Sequence, residues 1–558
     1  MSVLLLTRRY LAEYIRNPVN LLLLVIVPIV FVTMAAGTFA DLAKIAGGTG
    51  STPGIEADTA GWAAAFLTGV AAFFQVRSAH AADRRLAQAG LGAGQVVAAR
   101  LLSGLGLSVL AGVAALLALA ARSGIADLPR TVAALALYAL IYLGIGTLVG
   151  VLLHDELNGA VVLLFVWMLD VFLSPAMIGG DQVLTRPFPT HFVSLFLVGA
   201  PDMHTGPLGN LGWALLWTVG ALLLAGLTFV AAIRPASPRV GRFSWRENLR
   251  PWSHGADVVG AADVRQAALL EMRPHSRPPR PDAAVSGSTP AHAGRVSHSP
   301  GDRAAGNAGR VAVAFRYGLL AYSRNPVLWV LLVALPAVYI RLSVAVTPPL
   351  PDPVALDEHG RQVTYLLSMT NVHAATMAAM AVASLAGLVG LFVVLGSAEG
   401  DRRLVLAGYR ARTVLATRVG VLAVITLLVT AVSLAVTVPT FTPRLWLPFV
   451  GGTVLIALTY GLIGVLVGPL AGRMGGLYLL FLLPFVDVGL GQAPVFQAAP
   501  PTWATFLPAY GGMRLVVDGA FAPDFSAMGA LLLALGWLVA IAIAALVIFR
   551  RISESATG

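Results

Sequence analysis

The sequence predicts an all-α polytopic membrane protein of about twelve transmembrane helices, arranged as two parallel six-helix repeats, each with an N-terminal interfacial helix. Three observations predict it. The 558 residues are 58% hydrophobic and only 11% charged, with a mean hydropathy of +0.82, whereas a soluble domain carries roughly 25% charged residues. The apolar residues gather in runs of the ~20 that a bilayer-spanning helix needs. Short motifs of the first part also return in the second: "YIRNPV" at Tyr14–Val19 and "YSRNPV" at Tyr322–Val327.

Taken in chain order, "LLLTRRYLAEYI" reads as a short amphipathic helix lying on the membrane interface. The apolar stretch after it continues past Phe31, too long for a cleaved signal. Arg16, Asn17 and Pro18 form a corner between the two, and Arg324, Asn325 and Pro326 form the second copy. The proline drives the preceding asparagine out of the helical region and favours a helix start, while the arginine stays among the headgroups. Six runs follow, at 19–39, 61–80, 97–121, 130–153, 159–180 and 208–233. Six more lie at 327–346, 371–398, 414–437, 446–470, 474–493 and 526–550. Between the sets, 234–310 turns to Pro, Arg, Ser, His and Gly, as in "RPHSRPPRPDAAVSGSTPAHAGRVSHSPGDR". Such a segment cannot bury a core and reads as a disordered cytoplasmic linker. The expected domains are therefore a first half over 1–233, the linker over 234–310 and a second half over 311–558.

The repeat is longer than one hexapeptide. The offset that carries Asn17 to Asn325 also carries Arg8 to Arg316 and Pro28 to Pro336. A slightly larger one carries Asp83 to Asp401, Arg100 to Arg418 and Tyr142 to Tyr460, as a longer outer loop in the second half would require. Halves with an even number of spans share one orientation, so the repeat is parallel, about an axis along the membrane normal. Arg8, Arg9, Arg16, Arg84, Arg85 and the linker fall on one side, against mixed loops such as "DLAKIAGGTGSTPGIEAD" on the other. By the positive-inside rule the arginine-rich side is cytoplasmic and holds both termini. A single lysine, Lys44, beside abundant Ala, Gly, Pro and Arg suggests a GC-rich bacterial genome, hence a bacterial plasma membrane.

Several function classes lose support. The net charge of +11 is explained by topology, so nucleic acid is not an expected partner. With no cysteine there are no disulfides, thiolate metal sites or cysteine nucleophiles. Neither HExxH nor GxSxG occurs, and "HDELNG" at His154 reads as a solvated inner turn rather than a metal site. No catalytic or metal-ligating residue is expected.

What remains is charge inside or beside the spans. Asp83, Arg84, Arg85 and Leu86, matched by Asp401, Arg402, Arg403 and Leu404, sit after the second span of each half as a short cytoplasmic helix. That is either simple positive-inside charge or a docking knob for another protein. Before each sixth span stands an interrupted stretch, "RPFPTHFVSLFLVGAPDMHTG" and "APPTWATFLPAYGGMRLVVDGAFAPDF", with Pro189-Thr190 matching Pro501-Thr502. It is either a re-entrant segment covered by protein or an outer loop. Asp170 and Asp487 stand equally far into the fifth spans, counted from Gly159 and Gly476, about 16 Å deep at 1.5 Å per residue. Carboxylates at that depth face a bundle interior or water. They either hold the outer segment by hydrogen bonds or line a translocation path. Arg77, His80 and Arg341 read as snorkelling ends, and His373 as a structural polar contact.

The interfacial helix, six spans, an acidic-arginine-leucine helix after the second span and a re-entrant region before the sixth resemble the ABC-2 family of ABC transporter permeases, here as two fused half-permeases. The commoner family pattern at the inner helix begins with glutamates, where this chain has Asp83 to Leu86 and Asp401 to Leu404. The resemblance implies a permease that moves an amphipathic drug, antibiotic or lipid-like compound outward and binds no cofactor itself. ATP would be hydrolysed by a separate ABC ATP-binding protein, in two copies, docked on those inner helices. The sequence agrees in lacking a GxxxxGK loop, its one lysine lying outside any such motif. The alternative is an ion-coupled secondary transporter using Asp170 and Asp487.

Overall fold

A computed structural model describes residues 3–45, 47, 51–179, 181–199, 208–234, 312–320, 322–406, 409 and 411–555. Apart from Arg234, the expected linker lies outside the described residues. The protein is a helical, membrane-embedded chain: among the described residues, eleven helices are long and apolar enough to cross a bilayer.

The first helix, Val3–Ile15, buries Leu6 and Tyr10, one turn apart on a single face, and exposes Arg8 and Arg9. It ends at Arg16 and Asn17, and the first span, Pro18–Ile45, begins at the proline. The same corner recurs at Arg324, Asn325 and Pro326, where the Asn325 side chain accepts from the Leu328 N–H at 3.1 Å and caps the span Pro326–Val346. Asn17 accepts in the same way from the Asn20 N–H at 3.4 Å. Pro28 and Pro336 both lie inside these spans.

The remaining spans of the first half are Thr52–Gln88, Ala93–Arg122, Leu128–Leu152, Glu156–Phe172 and Gly209–Ile233. Thr52–Gln88 begins earlier than hydropathy suggests, because Ser51 caps it and Pro53 stands in its first turn. It also runs on through Asp83 to Leu86, so the expected separate inner helix is here the end of the span itself. In the second half the break exists: Met369–Leu395 stops before Gly396 and Ala398–Leu406 forms its own helix.

Ala411–Thr437 and Met528–Ser555 match expected spans. The two runs expected at 446–470 and 474–493 lie in one stretch, Trp446–Gly491, interrupted by Gly472 in a non-helical conformation at φ 69°. Its last turns, Phe485–Gly491, are π-helical. The reading as purely α is corrected between spans 326–346 and 369–395. There an antiparallel hairpin pairs Pro351–Glu358 (β1) with Arg361–Ser368 (β2) through His359 and Gly360, both at positive φ. Such a two-residue turn matches the strand twist.

Close approach of the second and fourth spans is set by glycine in both halves. A Cβ on Gly146 would strike the Gly69 carbonyl, and one on Gly464 would strike that of Gly387. Small residues let membrane helices meet backbone to backbone, where packing rather than the hydrophobic effect holds them.

The two halves pack into one compact unit, joined by a seam of aromatic rings. Phe31, Phe66 and Trp167 of the first half meet Phe481 and Phe485 of the second, with Phe66 and Phe481 stacked at 4.1 Å between centroids. Tyr478 donates to the Leu67 carbonyl across the same seam at 3.1 Å.

Candidate functional site

Along the seam lies a narrow cavity of ≈ 50 Å³, bounded by the first and fifth spans of the first half and by spans 326–346, 369–395 and 446–491 of the second. Its wall carries Phe39, Trp167, Tyr339, Phe481 and Phe485, with Met168, Met377 and Met380 between the rings. Methionine adapts its shape at little cost, so the wall can mould to varied apolar ligands. No Asp, Glu, Lys or Arg lines it; the polar groups are Thr38, Ser384, His373 and the Tyr339 hydroxyl, which donates to the Met380 sulfur at 3.1 Å. In this conformation the space admits a water or two.

Toward the arginine-rich ends the halves are tied by polar pairs. Asn158, at the start of the fifth span, and Asn325, at the second corner, exchange amide hydrogen bonds at 3.0 and 3.3 Å. Glu156 pairs with Arg473, and the Tyr14 hydroxyl reaches the Met474 sulfur at 2.9 Å. The "HDELNG" turn is thus not merely solvated: Asp155 caps the fifth span through the Asn158 N–H at 2.9 Å, and Glu156 closes the seam. Of the two corner asparagines, only Asn325 has this second role; Asn17 caps its own span, while Arg16, Pro18, Arg324 and Pro326 shape the turns.

The residues read as a docking surface divide into two kinds. Asp83 is buried, and Arg100 donates to both of its oxygens at 2.9 Å. Asp401 is buried in the same way under Arg418, with contacts of 2.6 to 3.2 Å. Asp83 therefore clasps the second span to the third, and Asp401 clasps the separate helix Ala398–Leu406 to the third span of its half, with nothing free to meet a partner. Arg84, Arg85, Arg402 and Arg403 are exposed, and Leu86 and Leu404 are half-buried. The clasps differ in their surroundings. Tyr10 lies under the Arg100 guanidinium at 3.5 Å and its hydroxyl reaches Asp83 at 3.4 Å. At the second clasp, Gly318 stands beside Arg418, and the Ser397 hydroxyl, 2.6 Å from the Val393 carbonyl oxygen, lies 3.0 Å from Asp401.

Asp170 and Asp487 lie outside the cavity wall. Tyr142 donates to Asp170 at 2.6 Å and Tyr460 to Asp487 at 2.8 Å, each tyrosine coming from the fourth span. Asp487 also accepts from the Ala509 N–H at 2.8 Å, at the start of the short helix Tyr510–Phe521, and from Gln492 at 3.4 Å. A carboxylate there satisfies an unpaired helix N–H and complements the helix dipole. Asp170 Oδ1, by contrast, is buried without a partner among the described residues. Asp487 thus ties the fifth span to the short helix Tyr510–Phe521, one of the two roles its depth allowed, whereas Asp170 is bonded to the fourth span through Tyr142; the segments before the sixth spans are buried short helices rather than loops.

A further buried carboxylate, Asp58, escaped sequence reading. Asp58 accepts from Tyr138 at 2.6 Å and from Ser194, which also meets Ser174 at 2.8 Å. It fastens the second span to the helix His191–Val198 in the first half. Its signal was present in "GIEADTAG", where two acids stand in what becomes a capped helix.

His373, expected as a structural contact, makes one: its Nδ1 lies 2.6 Å from the Thr347 hydroxyl. It also borders the cavity. The chain matches no protein-family model and no curated protein sequence.

Proposed function

We propose that this chain is the transmembrane permease subunit of an ATP-driven ABC exporter: two fused half-permeases of six spans each, Gly472 dividing the tenth of the eleven spanning helices into two. It moves an amphipathic drug, antibiotic or lipid-like compound out through the seam between the halves, while a separate ABC ATP-binding protein, in two copies, hydrolyses the ATP. The observation that carries this reading is the matched pair of clasps. Asp83–Arg100 and Asp401–Arg418 stiffen the inner end of each half at corresponding positions, and each presents two exposed arginines beside it. A rigid, outward-facing charged knob under each half is what a motor needs to push on.

Force applied at these knobs acts on the second and third spans, and the second spans line or abut the seam. Opening toward the motor requires parting Glu156 from Arg473 and Asn158 from Asn325, and then unstacking the aromatic seam. A secondary transporter would place its titrating carboxylates in the path, yet Asp58, Asp170 and Asp487 are all turned into helix-holding contacts. In this reading the membrane is the bacterial plasma membrane, with both termini cytoplasmic. The test replaces Arg84, Arg85, Arg402 and Arg403 together by Glu and measures co-purification of the chain with an ABC ATP-binding protein from the host membrane. Loss of the partner, with the permease still inserted and monodisperse, is expected; unchanged binding removes the docking assignment.

A further inference from the structure

One polar group in the cavity wall has a free face. His373 is 2% exposed and stands at the start of span 369–395. The Thr347 hydroxyl lies 2.7 Å from the Ser343 carbonyl oxygen and 2.6 Å from His373 Nδ1. A carbonyl oxygen has no proton to give, so Thr347 donates to Ser343, and His373 Nδ1–H must donate to Thr347. No carboxylate lines the cavity, so nothing there compensates an imidazolium charge. The ring is then the neutral tautomer with its proton on Nδ1 and a lone pair on Nε2. Nε2 has no partner among the described residues and is not fully enclosed, and the residue borders the cavity. The position has no counterpart in the other half: the offset that carries Asp83 to Asp401 carries Ile55 to His373.

We propose that His373 is the specificity-determining acceptor of this cavity, which takes a neutral ligand with an aromatic or long apolar body and one hydroxyl or N–H donor. The proposal rests on the reading of the cavity as the substrate path. The rings and methionines supply non-directional contact to the body. The single acceptor, fixed by the His373–Thr347–Ser343 relay, orients the ligand. A cation finds no counter-charge in this wall and an anion no fixed cation, so both remain in water. The asymmetry between the halves gives the ligand one preferred orientation across the seam.

The test uses the full chain in lipid nanodiscs and two tritiated probes of one shape, 2-naphthol, which donates a hydrogen bond, and 2-methoxynaphthalene, which does not. Equilibrium dialysis measures binding above that of empty nanodiscs. The wild-type chain is expected to hold the naphthol roughly tenfold more tightly than the ether, as one buried neutral hydrogen bond allows. His373→Leu should bring that ratio to about one while leaving ether binding intact, which also reports that the cavity has folded. His373→Gln, which keeps an acceptor, should preserve part of the preference. A wild-type ratio near one, or a preference that survives His373→Leu, overturns the assignment to His373 while leaving the cavity itself standing. Absence of binding by either probe to the wild-type chain overturns the cavity as a substrate site.

Discussion

Tyr142→Phe and Tyr460→Phe remove the same hydroxyl from corresponding places, and the structure predicts unequal costs. In the second half, the Asp487 carboxylate loses the 2.8 Å bond from Tyr460 but keeps the Ala509 N–H at 2.8 Å and Gln492 at 3.4 Å. In the first half, Tyr142 is the only hydrogen-bond donor in good geometry to Asp170 among the described residues, and Oδ1 is already unpartnered. A buried hydrogen bond contributes about 1 kcal/mol net, whereas a polar group left buried without any partner costs about 1–3 kcal/mol, and more if charged. The expected loss is therefore about 1 kcal/mol for Tyr460→Phe and about 3 kcal/mol for Tyr142→Phe. Graded SDS unfolding of the purified chain, followed by tryptophan fluorescence, measures both. Repeating each change in an Asp→Asn background closes a cycle that isolates the pair from other effects of losing the hydroxyl. The coupling between Tyr142 and Asp170 should exceed that between Tyr460 and Asp487. Equal losses, or a larger one for Tyr460→Phe, would refute the reasoning that Asp170 depends on Tyr142 alone while Asp487 keeps other donors.

Three further outcomes follow from the same contacts. Arg100→Ala removes both 2.9 Å bonds from buried Asp83, leaving it only the Tyr10 hydroxyl at 3.4 Å, and should cost about 3–5 kcal/mol, more than Arg418→Ala, because the Arg418 side chain is already 19% exposed; the same unfolding titration compares them. Gly146→Ala and Gly464→Ala should each prevent the second and fourth spans from meeting, seen as loss of a monodisperse peak in size-exclusion chromatography, since each Cβ meets backbone that cannot rotate away. Burial raises the Asp352 carboxyl to about 6, above its usual value near 4. The folded hairpin then binds a proton that the unfolded chain does not, so its stability rises as pH falls from above 6 toward 4. Amide exchange across Pro351–Ser368, corrected for intrinsic rates, should slow at pH 5 relative to pH 7, and Asp352→Asn should remove the difference.

Much of the fold was legible because lipid imposes a length and a composition on every spanning helix. The corners were legible for a local reason: Asn-Pro both ends one helix and starts the next, as Asn325 does by capping Pro326–Val346. Hydropathy alone was a poorer guide where structure depends on one residue. Gly472 interrupts an otherwise unbroken apolar stretch, and Ser51 with Pro53 extends a helix back over Glu56 and Asp58. The hairpin carried a turn signal, His359-Gly360 between β-prone runs, that a reading tuned to twenty-residue spans passed over. The repeat revealed Asp83, Arg100, Asp401 and Arg418, but not that they clasp one another, since facing across a turn is a property of packing. The cavity was least legible, because its wall draws residues from both halves far apart in sequence, and His373 matters there through a relay that no motif encodes.

The most direct test of an ATP-driven permease uses liposomes containing the chain with or without the ABC ATP-binding protein that the proposal requires. A 2-naphthol carrying an alkyl tail is loaded into the bilayer, and iodide, which does not cross, quenches only the outer-leaflet probe. The account predicts that the leaflet distribution changes when ATP is supplied to vesicles holding both proteins, and stays unchanged under a pH gradient alone. Probe movement driven by a pH gradient in vesicles lacking the ATPase would contradict it.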